Sequence, residues 1–295
     1  MLKLASLCLF IVDNMKISIC IATLNRRNLL LRTLNSIEYN NKGKKRDLEI
    51  IIVEDSSRSE ERIDDVVNNY SFPVLYLPVT EEFKQGAWSC PVIPFNLAFN
   101  FATGDIVIIQ NAENLHVGDI VGYVLENMRK STYLSFGCYS MNEKDTVNLH
   151  KKIKRNYSGE NIKKAVGEFK GFVKPWTDGD TCWYNHSIYR PGFNYFCCAM
   201  PRKDLEELNG FDERYAHGFA YDDCELLIRI ARKPMIQKHV DDPFVIHQFH
   251  GVTNYLKHRV KTEINRQLYM HLTCAGTFVK AQANKVYAPK NNFRK

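Results

Sequence analysis

Four short apolar runs, each closed by a polar cluster, set the frame for what this chain can fold into. Lys16–Thr23, Leu48–Val53, Val74–Leu77 and Asp105–Ile109 are rich in β-branched residues and lack the apolar–polar alternation of a half-exposed strand. They read as strands buried on both faces. Between the first two, Leu29, Leu30, Thr33, Leu34 and Ile37 fall on one face of a helix. Ile63, Val66 and Val67 mark a short helix before the third run. Phe95, Ala98, Phe99 and Ala102 mark a helix over Pro94–Phe101 before the fourth. A β-α-β-α-β-α-β order of this kind predicts an α/β fold, with a mainly parallel central sheet flanked by helices.

Ligands of such sheets bind beyond the carboxyl ends of the strands. Those ends carry Thr23-Leu24-Asn25-Arg26, Glu54-Asp55-Ser56 and Asn111-Ala112-Glu113. No G-x-G-x-x-G follows a strand, which disfavours a dinucleotide site, and no G-x-x-x-x-G-K-[ST] exists, which disfavours a P-loop. Carboxylates and a metal remain as a way to hold a nucleotide.

With 45% hydrophobic and 25% charged residues among 295, the composition excludes a disordered or low-complexity chain. No apolar run approaches the ~20 residues of a membrane span. The nine cysteines are scattered without a C-x-x-C pair, so a reducing, cytoplasmic location is expected. Adjacent Cys197 and Cys198 read as buried small hydrophobes. Met1–Asn14 reads as a leader or an alternative start, residues 15–255 as one domain, and 256–295 as a basic, helical tail. From Lys257 onward there are nine Lys and Arg against one acid, Glu263, so the tail holds the whole +7 net charge of the chain. Such a tail suits peripheral contact with an anionic membrane surface, or is simply a solvated helix.

The second half reads differently. Residues 140–175 are polar and Lys-rich, an exposed helical excursion. Trp176, Trp183 and Tyr184 follow, with His186, Tyr189 and Arg190 beside them. Aromatic rings next to polar groups suit sugars, so Trp183 and His186 are candidate acceptor contacts, and core packing is the alternative for the tryptophans. Asp204–Leu208 reads as a helix with Asp204 as N-cap, stopped by Asn209-Gly210. Tyr221-Asp222-Asp223-Cys224-Glu225 opens another helix. Its paired acids serve either chemistry or the helix dipole.

Several of these segments carry a resemblance. Ser18–Arg26 looks like the opening strand and T-[YL]-N-R turn of the family-2-type inverting glycosyltransferases, and Ile51–Ser57 looks like their V-D-D-x-S. Asn96–Asp105 resembles N-x-x-x-x-x-A-x-G-[DE]. Asn209–Glu213 is similar to G-G-F-D-E, and Asp222–Leu226 to E-D-x-D-L. The resemblance spans about Met15 to His250 and implies the GT-A fold and sugar transfer from a nucleotide diphosphate sugar, UDP-linked, with inversion. It places Thr23, Asn25 and Arg26 against the nucleotide, Glu54 or Asp55 on its base or ribose, and Asp223 at the catalytic base with Asp222 as neighbour. The family's D-x-D aligns with Asn111-Ala112-Glu113, where Asn111 is neutral and only Glu113 brings charge to a cation. His247 and His250 would add nitrogen ligands, and His116 is a further candidate. The implied cofactor is Mn²⁺ or Mg²⁺, imidazole favouring Mn²⁺, and metal-independent catalysis stays open. The expected partners are a nucleotide sugar and a glycan, lipid-linked or protein acceptor, and not nucleic acid. A catalytically inactive sugar-binding relative and a nucleotidyltransferase are the alternatives.

Overall fold

The computed structural model of the chain describes residues 15–55, 57–79, 84, 88–172, 179–251 and 255–274. Met1–Asn14, expected to be a leader or an alternative start, Ser56, Trp176 and the residues beyond Cys274 lie outside the described residues. Among these the chain forms nine strands in one sheet. They are β1 (Ile17–Thr23), β2 (Leu48–Asp55), β3 (Val74–Val79), β4 (Ile106–Asn111), β5 (Asn114–Val117), β6 (Thr132–Ser140), β7 (Cys182–Asn185), β8 (Cys197–Pro201) and β9 (Ile236–His247). The helices are α1 (Arg27–Asn41), α2 (Val92–Phe101), α3 (Ile120–Asn127), α4 (Glu143–Ile153), α5 (Gly159–Val166), α6 (Arg202–Leu208), α7 (Asp222–Arg232) and α8 (Tyr255–Cys274).

The sheet order is β3-β2-β1-β4-β8-β6-β9-β5, with β7 paired to β6. The first four strands in that order are parallel, as the four apolar runs predict. The other half is mixed: β8 is antiparallel to both β4 and β6, β9 parallel to β6, and β5 antiparallel to β9.

Strand alternation divides the core. Ile19, Ile21, Ile50, Ile52 and Ile108 face one layer with Leu30 and Leu34 of α1 and Val121 and Val124 of α3. Cys20, Ile51, Val53, Val107 and Ile109 face the other, with residues of α2, α6, α7 and α8. Cys197 and Cys198 point to opposite layers and are both fully buried. A third cluster forms where α4 and α5 cover the β5–β9 end. Gly104 lets the chain entering β4 pass close to β1, since a Cβ there would stand 2.6 Å from the Ser18 amide nitrogen.

Two local expectations are corrected. Around Ile63–Val67 there are only 3₁₀ turns, Ser59–Glu61 and Val67–Asn69. The polar side chains of this segment serve α1 instead: Glu61 accepts from the Arg27 amide at 3.0 Å, and Asp65 takes both Arg27 guanidinium nitrogens at 2.7 and 2.6 Å. Asp204 does not cap α6, whose N-cap is Pro201. It accepts from the Ser131 amide at 3.1 Å and pairs with Lys233 at 2.6 Å.

The motif segments hold each other. Asn96 of α2 donates to the Phe211 carbonyl at 2.9 Å and accepts from the Phe211 amide at 2.8 Å. It also donates to Glu213 at 2.9 Å, so it fixes the loop that leads towards α7.

Candidate functional site

A cleft of about 400 Å³ opens at the carboxyl ends of β1, β2 and β4. Its floor is Glu113, 1% exposed and two residues past the end of β4. β9 runs antiparallel to β5 with His247 opposite Asn114, which sets His247 beside Glu113. His247 Nε2 lies 3.2 Å and His250 Nε2 3.7 Å from Glu113 Oε1. Arg26, just ahead of α1, donates from Nη1 to the other carboxylate oxygen, and its Nη2 lies 3.4 Å from His250 Nδ1. Burial alone would raise the Glu113 pKa. The charge of Arg26 and the contacts of the two histidines outweigh it and hold the carboxyl well below the usual range.

Thr23, Asp55 and Asn111 share this lining. The Thr23 hydroxyl is buried and has no hydrogen-bond partner among the described residues. Asp55 pairs with Lys84 at 2.7 Å, and the Lys84 ammonium sits 5.0 Å from the Trp88 ring centroid. On the far flank, Asp222 and Asp223 line a recess of about 130 Å³ with Asn111, Tyr195 and Phe196, three residues that also line the cleft. Ala220 and Tyr221 enter α7 with φ of +60° and +69°, an unfavourable left-handed pair that throws the two acids towards the recess. Asp222 is buried and accepts from the Tyr195 hydroxyl and the Cys90 thiol. Burial, then the charge of Asp223, pushes its carboxyl up to about 6. Asp223 is partly exposed, and one of its oxygens accepts from the Cys224 amide at 2.7 Å.

Other expected contacts lie elsewhere. Asn25, at φ +51°, is a staple between loops: its amide donates to Ser57 Oγ at 2.6 Å, and its Oδ1 accepts from the Arg58 amide at 2.9 Å. Glu54 points to the α1 face, opposite to Asp55, because neighbours on a strand alternate. It accepts from the Ser57 and Tyr76 hydroxyls, and burial pushes it up to about 7. Trp183 is 5% exposed and packs against Tyr139, Phe169 and Phe244. His186 packs against Trp183 at a tilt, with ring centroids 4.5 Å apart, and faces Asp241 at 3.8 Å, away from the cleft lining. His116 is fully buried, bonded to Gln110 at 2.7 Å and pushed down to about 3 by burial, and it lies outside the cleft lining and the Glu113 cluster.

Sequence reasoning passed over Tyr195, Lys84 and Arg190 as site residues. Arg190 lines the cleft with its guanidinium 5.2 Å from the Phe172 ring and 5.8 Å from that of Tyr184. Its place within an aromatic stretch was the available signal. Tyr195 and Lys84 stand in no motif.

Glu113, His247 and His250 bring one carboxylate and two imidazoles within 4.8 Å of one another. This donor set fits a divalent cation such as Mn²⁺. Among the described residues no helix is long and apolar enough to cross a membrane.

Among solved structures, TarS residues 1–349 from S. aureus in complex with UDP-GlcNAc is similar over 92% of this chain and 69% of that one, at 13% identity and a TM-score of 0.55. TarS 1–349 alone gives 0.52 at 13% identity, over 79% of this chain and 60% of that one. The mannosyltransferase PcManGT from Pyrobaculum calidifontis, in complex with GDP-Man and Mn²⁺, gives 0.50 at 16% identity, over 88% and 64%. The chain thus spans less than two thirds of the length of the latter two. At these identities the likeness establishes the shared GT-A fold. No curated protein sequence matches the chain. The sequence profile of Glycosyl transferase family 2 matches residues 18–194, more than half of the chain, and the chain belongs to that family.

Proposed function

We propose that the protein transfers a sugar from a UDP-linked donor to an acceptor hydroxyl, with inversion at the anomeric carbon. The observation that carries this reading is the continuity of two chemistries: a cleft floored by Arg26, Glu113, His247 and His250, and a carboxylate recess that shares Asn111, Tyr195 and Phe196 with it. The donor's diphosphate lies over Arg26 and the Glu113 group, and Thr23 and Asp55 contact the nucleoside. Glu113, His247 and His250 would hold a divalent cation, which when bound supplies positive charge to the leaving diphosphate. The Arg26 guanidinium contributes fixed positive charge at the same place. Asp223, the more exposed acid of the recess, accepts the proton of the attacking hydroxyl. Asp222, held by Tyr195 and Cys90, orients the start of α7.

The test is incubation with a panel of UDP- and GDP-sugars and simple glycan acceptors, with and without Mn²⁺, reading release of the nucleoside diphosphate and the anomeric configuration of the product. Turnover with an inverted product supports the reading. Retention of configuration, or release only from another nucleotide, overturns it.

A further inference from the structure

A second groove, of about 690 Å³, lies on the outer side of α1 and has no lining residue in common with the cleft. One stripe of α1, Asn28, Leu31, Arg32, Asn35 and Tyr39 at helical spacings of three and four, builds its wall, and Lys42, the residue just past the helix, extends it. The end of α4 and the turn after it build the other wall, with His150, Ile153, Arg155 and Tyr157.

The charge in this groove is one-sided. Arg32, Lys42 and Arg155 face a single acid, Glu38. Glu38 is already committed, accepting from the amide and the hydroxyl of Ser71 at 3.0 and 2.9 Å. None of the three cations is paired with a carboxylate among the described residues. Solvated lysines on an open helix face are commonplace, but two further features set this groove apart.

The first is that its basic turn is built. Lys154 and Arg155 both take left-handed backbone, at φ +46° and +67°, which non-glycine residues rarely adopt. The turn is pinned there: the Asn156 amide donates to the Ile153 carbonyl at 2.8 Å, Asn156 Oδ1 accepts from the Ser158 amide at 3.1 Å, and Asn161 Nδ2 donates to the Asn156 carbonyl at 2.9 Å. Arg155 is thereby presented across the groove from Arg32.

The second is that the groove's histidine is fixed from behind. Gln248 Nε2 donates to the Glu113 carbonyl at 2.9 Å, so its Oε1 is the acceptor for His150 Nε2, also at 2.9 Å. Burial, and then the charge of Arg32, push the His150 imidazole down to about 4. His150 cannot turn away without breaking a bond to the residue that follows His247.

We propose that this groove is an anion site, separate from the nucleotide cleft, that takes the phosphate group of a small molecule between Arg32, Lys42 and Arg155. A planar guanidinium on each wall suits the tetrahedral oxygens of a phosphate. The amides of Asn28 and Asn35 and the ring of Tyr39 leave room for the hydroxylated body of a phosphate ester. The proposal does not rest on the transfer reaction.

The experiment is calorimetric titration of the full chain with inorganic phosphate and, separately, with glucose 1-phosphate, at physiological salt. Wild type, Arg32→Gln, Arg155→Gln and the cleft variant Arg26→Gln are compared. Saturable one-site binding is expected for wild type and Arg26→Gln, weakened roughly tenfold or more in the two groove variants, as loss of a charge-assisted hydrogen bond predicts. Tighter binding of glucose 1-phosphate identifies a phosphorylated metabolite as the source, and equal binding identifies the free ion; both support the site. Absence of saturable binding, or binding lost in Arg26→Gln and kept in Arg155→Gln, overturns it. Unchanged melting temperatures are expected for Arg32→Gln and Arg155→Gln, whose side chains have no carboxylate partner among the described residues, and circular dichroism checks the fold of Arg26→Gln, which loses its bond to Glu113.

Discussion

Arg26 and Glu113 are bonded to each other across 87 residues of sequence, at the floor of the cleft. The pair joins the turn after β1 to the segment after β4, and its carboxylate is almost wholly buried while its guanidinium is about one third exposed, with side-chain exposures of 2% and 32%. In the proposed reaction an arriving diphosphate would meet a positive group already in position, and a carboxylate whose second oxygen faces two imidazoles.

Glu113→Gln removes the only full negative charge among the three candidate metal ligands. Mn²⁺-dependent binding of UDP is expected to weaken by about tenfold or more. Asn111→Ala, which removes no charge, is expected to stay within about threefold. Calorimetry with UDP in the presence and absence of Mn²⁺ measures both. Equal, wild-type affinity in the two variants would remove Glu113 from the site.

Asp223→Asn keeps size and the hydrogen bond from the Cys224 amide but cannot take a proton. Transfer is expected to fall by roughly 10²–10⁴-fold, with UDP affinity and melting temperature unchanged. Asp222→Asn is the companion variant. A larger loss of transfer there than in Asp223→Asn would move the base to the buried acid.

Glu54 gives a pH-dependent signature. Its carboxyl is pushed from 4.5 to about 7 in the folded protein, first by burial. Between those values the folded state keeps a proton that the unfolded state has released. Stability from this group is thus full below about 4.5 and is lost as pH rises through about 7. Glu54→Gln removes that slope. Thermal melts at pH 5 and pH 8 are expected to show the variant gaining on wild type by several degrees at the higher pH. A pH-independent difference would contradict the buried, protonated carboxyl.

Trp183→Ala tests a role in the core against one in acceptor binding. Loss of a buried ring typically costs ~3–5 kcal/mol, so the melting temperature is expected to drop sharply. A variant of wild-type stability with a raised acceptor KM would place Trp183 in the site instead.

The parallel half of the sheet was legible because each of its strands announces itself as a continuous apolar run, with β1, β2 and β4 buried on both faces and β3, at the edge, only partly buried. β6 to β9 were not. Thr132–Ser140 mixes Ser135, Gly137 and Ser140 with aromatics, and Ile236–His247 is polar from Gln237 to Asp242, broken only by Val240. Only tertiary pairing makes them strands. The same limit applied to the site. Asp55, Asn111 and Glu113 lie at strand ends, where periodicity points. Glu54 and Asn25 stand beside them in sequence, but strand alternation sends Glu54 to the other face, and a left-handed turn commits Asn25 to the neighbouring loop. Tyr195 is brought to Asp222 by the segment that enters β8, whose apolar run reads as buried but gives no sign of the acid it meets.

His250 meets Arg26 across 224 residues. A ribosome therefore releases the whole parallel half of the sheet long before the residues that finish the cleft. A chain stalled or cleaved before β9 has the Arg26 turn and the Glu113 carboxylate but no imidazoles beside them. Contacts this distant in sequence are among the slowest to form. Competence for the chemistry thus arrives with the last strand, and an early fragment of this protein, however well its first strands pair, holds an unfinished cleft.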